Sequence, residues 1–239
     1  MASNLESPAR EAKTGQIAPL WHSLGLLIIL LAFVWGTFRW QSHSLAAGEQ
    51  HHGNVLHYLI VIVSEWAMAL YIWLGGLIPG ATQLRDIIGG RWTNIKQVLR
   101  DIAIAAAFWI VFVAVGELGG LVLRPSHAGS LEFVNPLGAT EVTLWVIMSM
   151  TAGFCEELVF RGYLQKQFLA LTGSATIAVL AQAVLFGIVH WYQGVKLVIL
   201  ISALGLLYGI LAQWRKSLRP GIISHAWSDI VNVIPTPFR

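Results

Sequence analysis

Charged side chains are scarce in this chain. Only 11% of its 239 residues are Asp, Glu, Lys or Arg, against about 25% in an average soluble domain. Apolar residues make up 56% of the chain, and the mean hydropathy is +0.67. A soluble protein of this length needs more charge to cover its surface. The composition therefore excludes a soluble enzyme and a disordered chain, and it predicts a polytopic membrane protein.

Acidic residues are only slightly fewer than basic ones, with 12 Asp and Glu against 15 Lys and Arg. The isoelectric point near 9.2 is compatible with a nucleic-acid partner. The basic residues, however, stand in short segments between apolar runs, which is the pattern of a membrane protein. We therefore expect no nucleic-acid partner and expect the lipid bilayer as the surroundings of the chain.

Cysteine is nearly absent, because Cys155 is the only one in the chain and an intrachain disulfide is thereby excluded. Cys155 stands in an apolar run, where a free cysteine is usually inert packing. Histidines are more numerous around the first loop, at His43, His51, His52 and His57. This group is either part of a solvated loop or a metal site, and the loop is the simpler interpretation.

Long apolar runs are what the sequence does have. A membrane-spanning helix needs about 20 such residues. Seven runs are candidates, of which the fifth and the seventh are short: Leu20–Phe38, Val55–Ile78, Ile102–Leu123, Ala139–Phe160, Ala175–Val189, Leu197–Trp214 and Gly221–Ile234. The pattern predicts an all-α polytopic fold with about seven transmembrane helices around an intramembrane polar cavity.

The remaining segments complete the predicted organisation. Residues 1–18 are polar and predict a disordered tail, so that residues 19–239 form a single transmembrane domain. The stretch Leu84–Leu99 mixes charged with apolar residues and predicts an amphipathic segment in the membrane interface.

Lysines and arginines are unevenly divided between the two sides of the predicted membrane. If the N-terminus is inside, eleven lie on inner segments: Arg10, Lys13, Arg85, Arg91, Lys96, Arg100, Arg161, Lys166, Arg215, Lys216 and Arg219. Four lie on outer segments: Arg39, Arg124, Lys196 and Arg239. Because cytoplasmic loops are enriched in Lys and Arg, we expect the N-terminus inside and the C-terminus outside.

Two adjacent carboxylates, Glu156 and Glu157, stand at the end of an apolar run and are followed by Arg161. Ionisable groups at membrane depth are costly and commonly functional. Residues four apart share a helix face, so Glu157 can pair with Arg161, whereas Glu156 points about 100° away. We therefore expect Glu157 to be structural and Glu156 to be a base. The alternative is a helix that simply leaves the membrane with a charged end.

Later apolar runs carry two further polar pairs, Phe186 with His190 and His225 with Asp229. The partners in each pair are four residues apart and share a helix face. A single histidine on an apolar helix is usually a hydrogen-bonded core residue. Two histidines together with an unpaired glutamate favour a functional site. Gln182, on the same face, could fix the tautomer of His190.

The spacing of Glu156, His190 and His225 along the chain predicts that their side chains lie close together. If a helix turns at Gly173, Glu156 lies 17 residues before the turn and His190 lies 17 residues after it. In an antiparallel helix pair both then sit at one level, roughly 25 Å from the turn. We expect Glu156, His190 and His225 to line one water-filled cavity that opens inward. The break after His190, at residues 191–194, would line that cavity, as irregular backbone at membrane depth must.

The three motifs together resemble those of the CAAX-protease and bacteriocin-processing family (CPBP, or Abi) of intramembrane proteases, which includes the type II CAAX prenyl endopeptidases. They are Glu-Glu-x-x-x-Arg at 156–161, Phe-x-x-x-His at 186–190 and His-x-x-x-Asp at 225–229. The similar region runs from about Ala139 to Ile234.

The resemblance implies an intramembrane endopeptidase whose substrate is a membrane-associated peptide or protein. It implies that Glu156 and His190 activate the attacking water, and that His225 and Asp229 stabilise the oxyanion. Supporting roles then fall to Glu157, Arg161 and Phe186. A prenylated substrate is implied only by the best-known relatives. The expected location is a bacterial cytoplasmic membrane.

Asp229 leaves the mechanism open, because an ionised aspartate cannot donate a hydrogen bond to an oxyanion. It could be protonated, orient His225 or bind a metal. The family has also been viewed as metalloproteases, and Glu156, His190, His225 and Asp229 could together hold zinc. The expected cofactor is therefore either none or one divalent metal such as zinc.

Two other functions compete with proteolysis. A non-catalytic membrane scaffold or immunity factor on the same fold would not need Glu156. A small proton-coupled transporter would carry protons or ions on the buried Glu65, Glu117 and Glu156, and it would tolerate loss of His225. Glu65 and Glu117 are otherwise interpreted as structural partners or as cavity lining.

Overall fold

The computed structural model describes residues 15–47, 54–78, 82–124 and 136–231, and within these ranges the chain is helical, without strands. The α-helices, in chain order, are α1 Leu20–Ala47, α2 Val55–Ile72, α3 Leu84–Ile88, α4 Ile95–Leu123, α5 Gly138–Glu156, α6 Gln165–Thr172, α7 Ala175–Ile188, α8 Val195–Arg215 and α9 Arg219–Val231. Segments of π-helix follow α2, at Trp73–Leu77, and α5, at Glu157–Leu164; a 3₁₀ turn, Trp191–Gln193, follows α7.

The predicted all-α polytopic architecture is confirmed, and the protein is an integral membrane protein. Five helical stretches are long and apolar enough to cross a membrane: Leu20–Arg39, Val55–Leu77, Ile95–Leu123, Gly138–Thr172 and Val195–Arg215. Helix α7 is apolar but has only 14 residues, and α9 has 13. The number of seven crossings therefore stays a prediction.

The predicted amphipathic segment Leu84–Leu99 is divided between two helices, and its position in the membrane interface stays a prediction. Gly89 ends α3 with a φ of 113°, and Gly90 follows with a φ of 80°. Both values lie in the left-handed region that favours glycine. A new helix then starts at Ile95, where the Asn94 side chain accepts a hydrogen bond from the Gln97 backbone N–H at 3.1 Å. Helix α4 thus begins seven residues before the predicted span at Ile102.

A continuous helical rod from Gly138 to Thr172 forms the centre of the molecule. All eight residues of its π segment, Glu157–Leu164, are buried. A π segment is rare and is often found at functional sites. The rod ends at Gly173, with a φ of 65°, and Ser174 then caps α7. The predicted turn at Gly173 is therefore confirmed.

Helices α7 and α8 pack against each other, and α5 packs against both α2 and α9. The crossing of α5 and α9 is close at Gly153. A Cβ atom there would lie 2.7 Å from the backbone nitrogen of Ala226. Glycine is needed at this position, and it lets the next turn of α5, which carries Glu156, approach α9.

The start of the described chain is fastened to the central rod. The Gln167 side chain accepts a hydrogen bond from Ile17 N at 2.9 Å and donates one to Ala18 O at 2.6 Å. Nδ1 of His22 lies 2.7 Å from the Tyr163 hydroxyl. The predicted tail of residues 1–18 is therefore wrong for Ile17 and Ala18, which are buried, and residues 1–14 lie outside the described ranges.

Candidate active site

The predicted ion pair between Glu157 and Arg161 is present within the π segment. Arg161 Nη1 donates to Glu157 Oε1 at 2.9 Å, and both side chains are almost fully buried. Arg161 Nη2 also donates to the Gly205 carbonyl on α8 at 3.2 Å. The guanidinium carbon lies 4.3 Å from the centre of the Phe186 ring. Arg161 therefore joins the rod to α7 and α8, and the Phe186 ring packs against the positive charge of the Arg161 guanidinium.

His225 on α9 is the centre of a network of carboxylates. Its Nδ1 lies 3.2 Å from Oε1 of Glu157, and its Nε2 lies 3.5 Å from Oε2 of Glu156. The same Nε2 lies 3.8 Å from Oδ2 of Asp229. Ionised carboxylates only accept hydrogen bonds. An imidazole that faces carboxylates with both nitrogens must carry two protons or share one with a protonated carboxylate.

Glu156 differs from Glu157 in its surroundings. Its side chain is 16% exposed and lines the cavity, whereas the Glu157 side chain is 1% exposed. The predicted pairing of Glu157 with Arg161 is observed, whereas Glu156, for which no partner was expected, contacts His225. The separation of 3.5 Å between Oε2 of Glu156 and Nε2 of His225 agrees with the expectation that both residues line one cavity. It follows from the close crossing of α5 and α9.

His190 lies two residues after the end of α7 and is held by a backbone carbonyl of that helix. Its Nδ1 lies 2.8 Å from the Phe186 carbonyl oxygen. Since a carbonyl only accepts, this contact assigns the proton to Nδ1 and leaves Nε2 with a lone pair when the ring is neutral. The expectation that Gln182 orients His190 is wrong. The Gln182 amide donates instead to the carbonyls of Val179 and Gly205, at 3.0 and 3.1 Å.

All four residues predicted to carry the chemistry lie on the wall of one cavity of about 320 Å³. Helix α5 contributes Glu156, the end of α7 contributes His190, and α9 contributes His225 and Asp229. Tyr192 and Gln193 of the 3₁₀ turn also line it, as expected for irregular backbone inside a membrane protein. Apolar side chains form the rest of the wall, chiefly Phe112 on α4 and Leu197, Leu200, Ile201 and Leu204 on α8.

A zinc ion makes a specific geometric demand on its ligands. Zinc ligands converge on one point at about 2.0–2.3 Å. Within the described ranges, no three His, Cys, Asp or Glu side chains are arranged to hold a metal ion. Glu156 and Asp229 instead approach the same nitrogen of His225, at 3.5 and 3.8 Å. As arranged, these groups form an ion-pair network and do not fit a zinc centre.

The sequence alone did not identify every polar group of the cavity. His57 on α2 lines it, although the sequence placed His57 beside a solvated loop. His51 and His52 lie outside the described residues. Tyr208 stacks on His225 with ring centres 5.0 Å apart, and the Trp145 indole donates to the Asp229 carbonyl at 3.0 Å. No sequence motif identifies Tyr208 or Trp145, because both reach the site only through the packing of the helices.

The two remaining buried-acid candidates lie in different surroundings. Glu65 on α2 is 3% exposed, and its Oε2 has no hydrogen-bond partner within the described part of the chain. Glu117 is exposed on α4. Neither residue is part of the cavity wall. Glu117 is therefore a carboxylate that lies outside the candidate site.

Comparison with known proteins gives one family match. Residues 138–231 match a family model described as Rce1-like, Type II CAAX prenyl endopeptidase Rce1-like. The matched segment contains α5 to α9 and all three motifs. No curated protein and no solved structure matches the chain.

Proposed function

We propose that the protein is an intramembrane endopeptidase, because residues 138–231, which carry the cavity, match a family model described as Type II CAAX prenyl endopeptidase Rce1-like. Its substrate is a membrane-associated peptide or protein. The observation that carries this proposal is the position of Glu156, His190, His225 and Asp229 on the wall of one cavity. Neither a scaffold nor a transporter requires this combination of a carboxylate, two imidazoles and an apolar wall.

Glu156 and His190 are proposed to activate the attacking water. One of them accepts a proton from the water while the water oxygen forms a bond to the scissile carbonyl carbon. Glu156 is the stronger candidate for this base, because it is partly exposed to the cavity. His190 offers Nε2 as an acceptor that positions the water, since its Nδ1 is occupied by the Phe186 carbonyl.

His225 is proposed to stabilise the negative charge that develops on the carbonyl oxygen. Its Nε2 faces the cavity side of the network, where a donor can meet the oxyanion. Asp229 orients this imidazole from one helical turn away. When the tetrahedral intermediate collapses, the carbon–nitrogen bond breaks. The proton taken from water passes to the leaving amine nitrogen.

The cavity wall supports an apolar substrate. Leucine and isoleucine side chains of α8 face the polar network across the cavity. An extended peptide could place its scissile carbonyl at Glu156 while an apolar side chain or an attached lipid contacts α8. A prenylated C-terminal peptide is the finer proposal. It rests on the family match and on this wall.

The decisive experiment is a cleavage assay in liposomes. Membrane-anchored peptides, with and without a prenylated cysteine, would be incubated with the full-length protein in the presence and absence of a chelator. Glu156→Gln is the test variant, and Glu117→Gln is the matched control outside the cavity. Cleavage by wild type and Glu117→Gln, lost in Glu156→Gln and unaffected by chelation, supports the proposal. Equal activity of the folded Glu156→Gln variant would refute it.

A further inference from the structure

A second buried charge cluster lies away from the cavity, where α8 ends and α4 and α9 begin. Its centre is Asp101, whose side chain is 0% exposed. Arg219 Nε lies 3.1 Å from Oδ2, while Arg215 Nη2 and Arg100 Nη2 lie 3.4 and 3.5 Å from Oδ1. The Trp92 indole donates to Oδ2 at 2.9 Å. One carboxylate therefore receives four donor groups.

The cluster has an excess of positive charge. Three guanidinium groups meet one carboxylate, and Asp101 is the only carboxylate that they contact within the described ranges. Because the Arg100 side chain is 52% exposed, one positive charge is in excess among the mostly buried groups. The side chains of Arg215 and Arg219 are only 18% and 10% exposed. Buried charges in proteins are normally paired. An excess of this kind indicates that an anion completes the cluster.

Two buried donors of the cluster have no hydrogen-bond partner in the part of the chain that the structure describes. They are Nε of Arg215 and Nη1 of Arg219. Leaving a buried donor unsatisfied is costly, more so for a charged group. Arg219 is also the first residue of the 13-residue helix α9, where the helix dipole favours an anion.

We propose that Arg100, Arg215 and Arg219 form a binding site for a phosphate group. The planar guanidinium fork matches the oxygens of phosphate. The cluster lies at the end of two membrane-length helices, since α8 ends at Arg215 and α4 begins at Ile95. Basic pockets between helices at this level recognise anionic lipid headgroups. The phosphate of an anionic phospholipid is the favoured source, and free phosphate has the same chemistry.

The binding experiment needs no protease assay, so its outcome does not depend on whether the protein is a protease. Full-length protein in a neutral detergent is titrated with phosphatidylglycerol, with phosphatidylcholine, or with inorganic phosphate at constant ionic strength. Thermal unfolding and native mass spectrometry report binding. We expect phosphatidylglycerol to raise the unfolding midpoint of wild type. Arg215→Gln should weaken this binding about 10-fold or more, because one charge-assisted contact is lost.

Further variants separate a ligand site from a purely structural ion pair. Arg215→Lys keeps the charge without the fork and should bind with intermediate affinity. Asp101→Asn should lower the midpoint yet keep or strengthen the response to phosphatidylglycerol. Lys196→Gln is the control, since Lys196 contacts the Arg124 carbonyl and not the cluster.

Each outcome decides the proposal. Competition by inorganic phosphate would support the site and assign free phosphate as a second source, whereas a response to phosphatidylglycerol alone would support a lipid. The site is overturned if wild type responds equally to phosphatidylcholine and phosphatidylglycerol, or if Arg215→Gln responds as wild type does. It is also overturned if neither probe binds to the wild type.

Discussion

Nδ1 of His225 lies 3.2 Å from Oε1 of Glu157, the same oxygen that accepts a hydrogen bond from Arg161 at 2.9 Å. One carboxylate oxygen thus links α9 to the π segment of the central rod. The second glutamate of the motif holds His225 in place while the first faces the cavity. The two adjacent carboxylates therefore have different surroundings, and the role of each can be tested by substitution.

Arg161→Ala should lower the free energy of unfolding by about 3–5 kcal/mol, because it leaves the buried Glu157 carboxylate without its cation. Thermal unfolding in detergent and the yield of monodisperse protein measure this loss. Arg85→Ala is the control, since Arg85 forms an exposed pair with Asp86. A stable Arg161→Ala variant would contradict a structural role for the pair.

Glu156→Gln should reduce turnover by about 10²–10⁴-fold, the range expected when a general base is removed. Glutamine has nearly the same shape, so the unfolding midpoint should stay close to that of wild type. Cleavage rates and thermal unfolding are measured on the same preparations. Loss of both activity and folding would instead assign Glu156 to the structural network around His225.

Asp229→Asn should retain activity, because asparagine has nearly the same shape and keeps an oxygen beside Nε2 of His225. Asp229→Ala should lower turnover, because it removes the group 3.8 Å from that nitrogen. Asp229 is 35% exposed, so both variants should fold. Equal rates for the alanine and asparagine variants would remove the orienting role of this residue.

Gly153→Ala should separate the helices that carry Glu156 and His225. The added Cβ would lie 2.7 Å from the Ala226 backbone nitrogen, and overpacking of this kind costs about 1–3 kcal/mol. Turnover and the unfolding midpoint should both fall. Gly120→Ala on α4 is the control, because no atom lies within 4 Å of its Cβ position. A harmless Gly153→Ala would show that the crossing can relax.

Membrane orientation is tested by cysteine labelling in a Cys155→Ala background. Gln83→Cys and Ala139→Cys both place the thiol at exposed positions, on the predicted inner and outer side respectively. With the N-terminus inside, an impermeant reagent added to intact cells should label only the second variant. The reverse pattern would invert the orientation.

The sequence predicted those features that depend on local pattern. Hydropathy gave the long helices, and the four-residue spacing gave the contact between Glu157 and Arg161. The equal distances from Gly173 placed Glu156 and His190 on one cavity. The start of α4 at Ile95 was not predicted. Charged residues in its first turns make this part of the helix, which follows Gly89 and Gly90, less apolar than a typical membrane span.

Other parts of the site depend on contacts distant in sequence. The π segment has an extra residue in its helical turn and all its side chains are buried, and no local pattern in the sequence predicts this geometry. Tyr208 reaches His225 because α8 packs beside the rod. Gln182 satisfied the spacing for a contact with His190, yet carbonyl groups nearer to its amide were better partners.

The contacts of Ile17, Ala18 and His22 with the central rod mean that the family-matched segment is not a self-sufficient module. Gln167 and Tyr163 lie within residues 138–231, but their hydrogen-bond partners on and before α1 lie outside that segment. A fragment limited to the matched residues would expose these polar groups to lipid. Transplanting the active site into another protein would therefore require the first helix to be carried with it.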